Sequence, residues 1–113
     1  ETYSPVVDAI TFRYLINLAV HEKLEMRLMD VVTAYLYGSL DHNIFMKIPE
    51  AFKVPEAYKD SRETCSIKLH KSLYGLKQSG RMWYNHFSQF LLKEGYKNDP
   101  ICPCVFINKK VWI

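Results

Sequence analysis

No apolar run in the sequence is long enough to span a bilayer, and no secretory leader is recognisable at its start. A membrane partner is therefore not expected. Repeats and low-complexity tracts are also missing. Hydrophobic residues make up 49% of the chain, which excludes disorder as the default. Cysteine is scarce. Cys65, Cys102 and Cys104 are odd in number and two of them are one residue apart, a poor disulfide framework. Reduced thiols in an intracellular protein fit better. No nucleophile sits in an elbow motif and no His–Asp pair is suggested, which argues against a serine or cysteine hydrolase. The 113 residues suffice for one small domain. The chain starts at Glu1 and stops on the strand-like "KKVWI". Domains seldom stop on an exposed strand, so both ends read as cuts and a piece of a longer protein is expected.

What is present reads as a mixture of helices and strands. After "SPVV", Asp8 is positioned to cap a helix running to about His21, with Phe12, Leu15, Ile16 and Ala19 as its core-facing stripe. "EMRLMDVV" alternates and predicts a strand. "TAYLYG" predicts a short helix or turn with Thr33 as cap and Gly38 as stop. "IFMKIP" and "CSIKLH" predict two more strands, separated by a polar loop containing Pro55. "KSLYGLKQSG" is a turn-rich connector. "RMWYNHFSQFLLKEGY" is a strong helix stopped by Gly95, with Trp83, Phe87, Phe90 and Leu91 on one face assigned to core. "CVFINKKVWI" predicts a hairpin turning near Asn108-Lys109-Lys110. Without regular βαβ alternation, the fold class expected is α+β with short antiparallel strands.

Asp30 is the one charge in "MDVVTAYLYG". A buried, unpaired carboxylate costs several kcal/mol, so Asp30 must pair, reach water or hold a cation. Charge is also unevenly placed. From Cys65 to Lys97 there are six basic residues against Glu94, a net +5, which leaves −2 for the rest of a chain of net charge +3. Such a stretch suits a phosphate-bearing partner or a solvated helix face.

The blocks "ETYSPVV", "MDVVTAYLYG", "IFMKIPEAF", "KLHKSLYGLKQSGRMWYNHFSQFLLKEGY" and "DPICPCVFI", in this order, resemble the reverse transcriptase of Ty1/copia-type retrotransposons over residues 1–107. The resemblance implies an RNA-directed DNA polymerase and a partial right-hand fold, fingers and part of the palm, with residues 1–113 as a single partial domain. It implies that Asp30 is the first of three aspartates holding two Mg²⁺ ions (Mn²⁺ as a substitute), with the Val31 carbonyl as a second ligand. Two metals about 3.5–4 Å apart neutralise the attacking and leaving oxygens of phosphoryl transfer, and Mg²⁺ takes hard oxygen ligands. It implies that Tyr35 is a steric gate whose ring leaves no room for a ribose 2′-hydroxyl. Packing in the core is the plain alternative for that ring. Gly75, Lys77, Gln78 and Arg81 would face template and nucleotide, the glycine through close backbone approach and the others as donors. Gly80 stands where relatives often have Pro. Arg13 could reach a triphosphate, or form a surface ion pair.

The partners implied are an RNA/DNA template-primer, deoxynucleotides and the remainder of a polyprotein: palm, thumb, RNase H and integrase. The location expected is intracellular, in a cytoplasmic particle and the nucleus. The family's other two aspartates lie in a Tyr-x-Asp-Asp hairpin, and this sequence has no Asp-Asp pair. Asp41, Glu50 and Asp60 match no metal position. Taken alone, the chain is expected to be inactive, to hold no metal tightly, and to unfold without a sharp transition because the palm sheet lacks its catalytic hairpin. Two other classes remain open. One is a non-catalytic nucleic-acid-binding remnant or domesticated domain. The other is a Cys₃His zinc module built from the three cysteines and His21, His42, His70 or His86, at a spacing unlike known knuckles.

Overall fold

The computed structural model describes residues 2–59, 61–109 and 111–113, with the Trp112 side chain left aside. The architecture is α+β. Helix α1 spans Ala9–His21 and α2 spans Ser79–Lys93. Strands β1 (Ser39–Lys47) and β2 (Ser66–Lys71) form an antiparallel pair. Strands β3 (Lys97–Asn98), β4 (Phe106–Asn108) and β5 (Val111–Trp112) form a second antiparallel sheet in that order.

Local chemistry accounts for the helix ends. The Asp8 carboxylate accepts hydrogen bonds from the Ile10 and Thr11 amides and the Thr11 hydroxyl, so α1 starts at its expected cap. These bonds hold the Asp8 pKa below the ordinary carboxylate value, the Thr11 hydroxyl contributing most. Both helices stop on a left-handed residue whose neighbours satisfy the last carbonyls. At α2 the Gly95 amide bonds Leu92 O and the Tyr96 amide bonds Leu91 O. At α1 the same motif uses Lys23 at φ 54°, where a glycine would be unstrained.

The core is small and lies on α2. Met82, Leu91, Val105 and Phe106 are buried, with Ser72 and Ser79. Trp83 stacks on Phe87 at 5.3 Å between ring centroids, and Phe87 meets Phe106 edge-on at 6.4 Å. Phe90 departs from the expected core face and is exposed, because Leu91 takes the inward position. The expected stripe on α1 is also displaced. Phe12 and Ile16 are exposed, while Leu15 is half-buried and Ala19 buried.

The expected strand over "EMRLMDVV" is not formed. Residues 24–31 have no regular secondary structure, and all of 21–33 are exposed. Alternation favours a strand only where a neighbouring strand takes up the backbone groups, and none pairs with this segment among the described residues. The other expected strands form. β1 begins earlier, at Ser39, and its pairing with β2 is irregular between Ser39 and Ile44. The polar loop before β2 carries a 3₁₀ turn over Glu56–Tyr58, and the Arg62 guanidinium closes it by donating to the carbonyls of Pro49, Glu50 and Phe52. The C-terminal hairpin forms as expected, with β3 as an unforeseen third strand; Lys110 of its turn lies outside the described residues.

The molecule is elongated, 65 × 25 × 23 Å. Its radius of gyration is 19.5 Å, against about 13 Å for a compact domain of this length. It exposes 9630 Å² at 13.3 kDa, where a compact monomer of that mass would expose about 6,500 Å². Much of the excess is apolar: Ile10, Val20, Met26, Leu28 and Met29 are all more than half exposed.

Candidate functional site

Two of the motif blocks fold against one another. "TAYLYG" forms a 3₁₀ turn, Ala34–Tyr37, bounded by Thr33 at φ 56° and Gly38. Thr33 stands at the cap position, but its hydroxyl bonds the Val32 carbonyl and caps nothing. Gly38 is the wedge of the contact. A Cβ there would lie 2.8 Å from Met82 Cβ, 3.0 Å from the Met82 carbonyl carbon and 3.0 Å from Ser72 Oγ. Only glycine lets the turn approach α2 this closely. The Ser72 amide donates to the Gly38 carbonyl at 2.9 Å and ties the turn to the end of β2.

This wedge positions Tyr35. Its ring lies 4.7 Å from that of Tyr74, tilted by 33°. Its hydroxyl is 3.9 Å from where a Gly80 Cβ would stand. The segment before α1 closes the other side, with Ser4 Oγ donating to the Gly80 carbonyl at 3.1 Å and an Arg81 nitrogen to the Tyr3 carbonyl at 3.4 Å. Tyr35, Tyr74, Gly80 and Arg81 thus share one surface at the N-terminal end of α2. Ser79 Oγ fixes the connector by donating to the Leu73 carbonyl at 2.5 Å.

The remaining candidates are placed less tightly. Gly75 has φ +95° and nothing within 4 Å of its missing Cβ, so the turn needs it for backbone conformation; the close approaches occur at Gly38 and Gly80 instead. Lys77 is exposed, and Gln78 stands at the α2 cap position with no side-chain capping bond. Gly80 sits in the first turn of α2, where proline is also accommodated. Arg13 is exposed on α1, and none of the ion pairs among the described residues includes it.

Asp30 is not in the core. It lies in the irregular exposed segment, with Val31 beside it, and its carboxylate is open to solvent. Among the described residues no group of three or more His, Cys, Asp or Glu comes together to hold a metal ion. The described residues therefore do not by themselves assemble a two-metal centre. Asp41 lies within β1 with its carboxylate 2.7 Å from His42 Nδ1, and the hydrogen bond there lowers its pKa; Glu50 is in a turn, and Asp60 lies outside the described residues.

Sequence reasoning passed over Tyr74 and Ser72, and read Gly38 only as the stop of its turn. Tyr74 sits inside the quoted "SLYGLKQ" block beside a turn glycine, and an exposed aromatic there was its available signal. Ser72 gave none, since its burial follows only from the wedge at Gly38.

Residues 1–111 match the family model described as "Reverse transcriptase (RNA-dependent DNA polymerase)". The chain belongs to that family. Its similar proteins place it further. It is 38% identical over 96% of its length to the retrovirus-related Pol polyprotein from transposon TNT 1-94 of Nicotiana tabacum, covering 8% of that protein. It is 34% identical over 95% of its length to the Pol polyprotein from transposon RE1 of Arabidopsis thaliana, covering 7%. It is 29% identical over its whole length to the transposon Ty1-H Gag-Pol polyprotein of Saccharomyces cerevisiae, covering 6%. The stretch thus corresponds to part of the reverse transcriptase region of Ty1/copia-type Pol polyproteins, and it spans less than a tenth of the length of these relatives. No solved structure matches the chain significantly.

Proposed function

We propose that this chain is the fingers and part of the palm of a right-hand RNA-directed DNA polymerase, and that the surface around Tyr35 faces the incoming deoxynucleotide. The observation that carries the reading is the contact between the two motif blocks, which holds Tyr35 between Tyr74 and the start of α2. A ring fixed at such a place discriminates by clash: a sugar carrying a 2′-hydroxyl loses its space, and a deoxyribose does not. Gly75, Lys77, Gln78 and Arg81 line the adjoining turn as template and nucleotide contacts, with backbone amides and side-chain donors suited to phosphate and base. Arg13 is a triphosphate contact from α1.

Asp30 and the Val31 carbonyl are one contribution to a divalent-metal site, Mg²⁺ being the ion suited to such hard oxygen ligands. The other carboxylates come from the remainder of the polyprotein. The working partners are an RNA or DNA template-primer and the palm, thumb, RNase H and integrase segments, in a cytoplasmic particle and the nucleus. The chain alone does not polymerise.

The test is primer extension on an RNA template with Mg²⁺ or Mn²⁺. The 113-residue chain should give no product above a protein-free control. Product that Asp30→Ala abolishes would sink the reading of an incomplete site. In the polyprotein carrying this segment, Tyr35→Ala should reduce discrimination against ribonucleotides at least about tenfold, or ~1.4 kcal/mol, while unchanged discrimination would remove Tyr35 from the gate. A purely nucleic-acid-binding role would use the exposed Lys68, Lys71, Lys77, Lys93 and Lys97. It would appear as binding that falls steeply with salt in a polyprotein that never extends a primer.

A further inference from the structure

The turn that carries Cys102-Pro103-Cys104 is used by nothing described so far. It is a β-turn closed by the Val105 amide donating to the Cys102 carbonyl at 2.9 Å. Three side chains hold it in place. Asp99 Oδ1 accepts from the Ile101 and Cys102 amides, both at 2.8 Å. Asn98 Nδ2 donates to the Pro103 carbonyl at 2.7 Å, and the Tyr84 hydroxyl donates to the same carbonyl at 3.0 Å. The Asp99 amide bonds the Val105 carbonyl at 2.9 Å and closes the base.

The two thiols are thereby fixed at the first and third positions of a clamped turn. Both are free and half-buried, and the Cys102 thiol is near enough to Cys104 to add to the rise in its pKa that burial causes. Two residues two positions apart span at most about 7 Å when extended, and the turn folds Cys102 and Cys104 closer than that, toward the about 4.4–6.8 Å window that a disulfide spans. A groove of about 330 Å³ between α1 and the turn, lined by Tyr14, Leu15, Cys102 and Val105 among others, admits a small molecule to Cys102.

We propose that Cys102 and Cys104 are a redox-active dithiol that closes to an intramolecular disulfide when it meets a low-molecular-weight disulfide oxidant. Cys102 Sγ attacks one sulfur of the oxidant, forms a mixed disulfide and releases one small thiol. Cys104 Sγ then attacks Cys102 Sγ and expels the second. Two cysteine sulfurs are oxidised by two electrons in all, the small disulfide is reduced to two thiols, and the two cysteine protons leave with them. The order follows from the environment: burial, followed by the neighbouring Cys102, raises the Cys104 pKa and makes it the slower to ionise. The inference does not depend on the polymerase reading.

The test treats the reduced 113-residue chain with excess oxidised glutathione, caps remaining thiols with N-ethylmaleimide, and reads intact and peptide mass. The expected product has lost two hydrogens, carries no maleimide at Cys102 or Cys104, and returns to the dithiol with dithiothreitol. Cys65, beside the other sheet, stays uncrosslinked and is the internal control. Cys104→Ser should stop the reaction at a glutathione adduct on Cys102. Closure should slow in denaturant, where the clamp is gone. Stable separate adducts on Cys102 and Cys104 in the unmutated chain, covalent dimers, two unmodified thiols, or equal closure rates folded and unfolded would each overturn the proposal.

Discussion

The two helices of this molecule are of similar length and α1 is the more apolar, yet α2 is the one that is packed. α2 ends on Gly95, buries Met82 and Leu91, and receives the 3₁₀ turn, the N-terminal segment and the second sheet. α1 has the better cap in Asp8, ends on a strained Lys23, buries only Ala19, and leads into thirteen consecutive exposed residues, 21–33. The difference teaches that an apolar face is a request for a neighbour and does not supply one. The residues proposed to face a nucleotide, Arg13 on α1 excepted, sit on the packed helix or on the turns beside its start. The carboxylate proposed to hold metal sits on the unpacked segment.

That contrast can be broken by truncation. Phe106→Ala, at a residue 2% exposed, should cost about 3–5 kcal/mol. Phe12→Ala, at a residue 54% exposed, should stay within about 0.5 kcal/mol. Hydrogen-exchange protection of the helix amides measures both, and equal losses would mean that α1 is packed after all. Next in size is Gly38→Ala. The added Cβ overlaps Met82, so separation of the turn from α2 should cost about 1–3 kcal/mol, and the Tyr35–Tyr74 ring contact should loosen with it.

Smaller effects sharpen the account of α1. Lys23→Gly should relieve the left-handed conformation and stabilise by up to about 1 kcal/mol, whereas Gly95→Ala should destabilise α2. Asp8→Ala should lower the helical circular dichroism contributed by α1. The same loss should appear in the unmutated chain as acid is added. The folded-state pKa of Asp8 is depressed, so its contribution is present above the ordinary carboxylate value and disappears as pH falls through the lowered one. Ser72→Ala is expected to be neutral or slightly stabilising, because the buried Ser72 hydroxyl has no hydrogen-bond partner in the described structure.

Much of this was legible in advance, for physical reasons that differ by element. The helices announce themselves through local terms: an Asp cap, a 3.6-residue pattern, a glycine stop. The β1–β2 pair and the C-terminal hairpin follow from β-rich runs bounded by turn residues. The strand at "EMRLMDVV" failed because a strand is a relation between two segments, and its alternation names only one of them. Phe12, Ile16 and Phe90 fall on inward-pointing stripes in the sequence because periodicity gives a face but not which neighbour covers it. At the site, the resemblance of their motif blocks assigns Tyr35 and Arg81 to one region, while Gly80 stands out in the sequence only as a departure from it. Tyr74 could not, since ring pairing depends on the wedge at Gly38, and that wedge is a matter of three-dimensional approach.

Native-state hydrogen exchange on the 113-residue chain tests the central claim most directly. The account predicts strong protection for the amides of α2 and of the β1–β2 pair, and exchange at the unfolded rate for 24–32, Asp30 included. Protection of 24–32 comparable to that of α2 would contradict it, because Asp30 would then already be held in a site that the chain builds by itself.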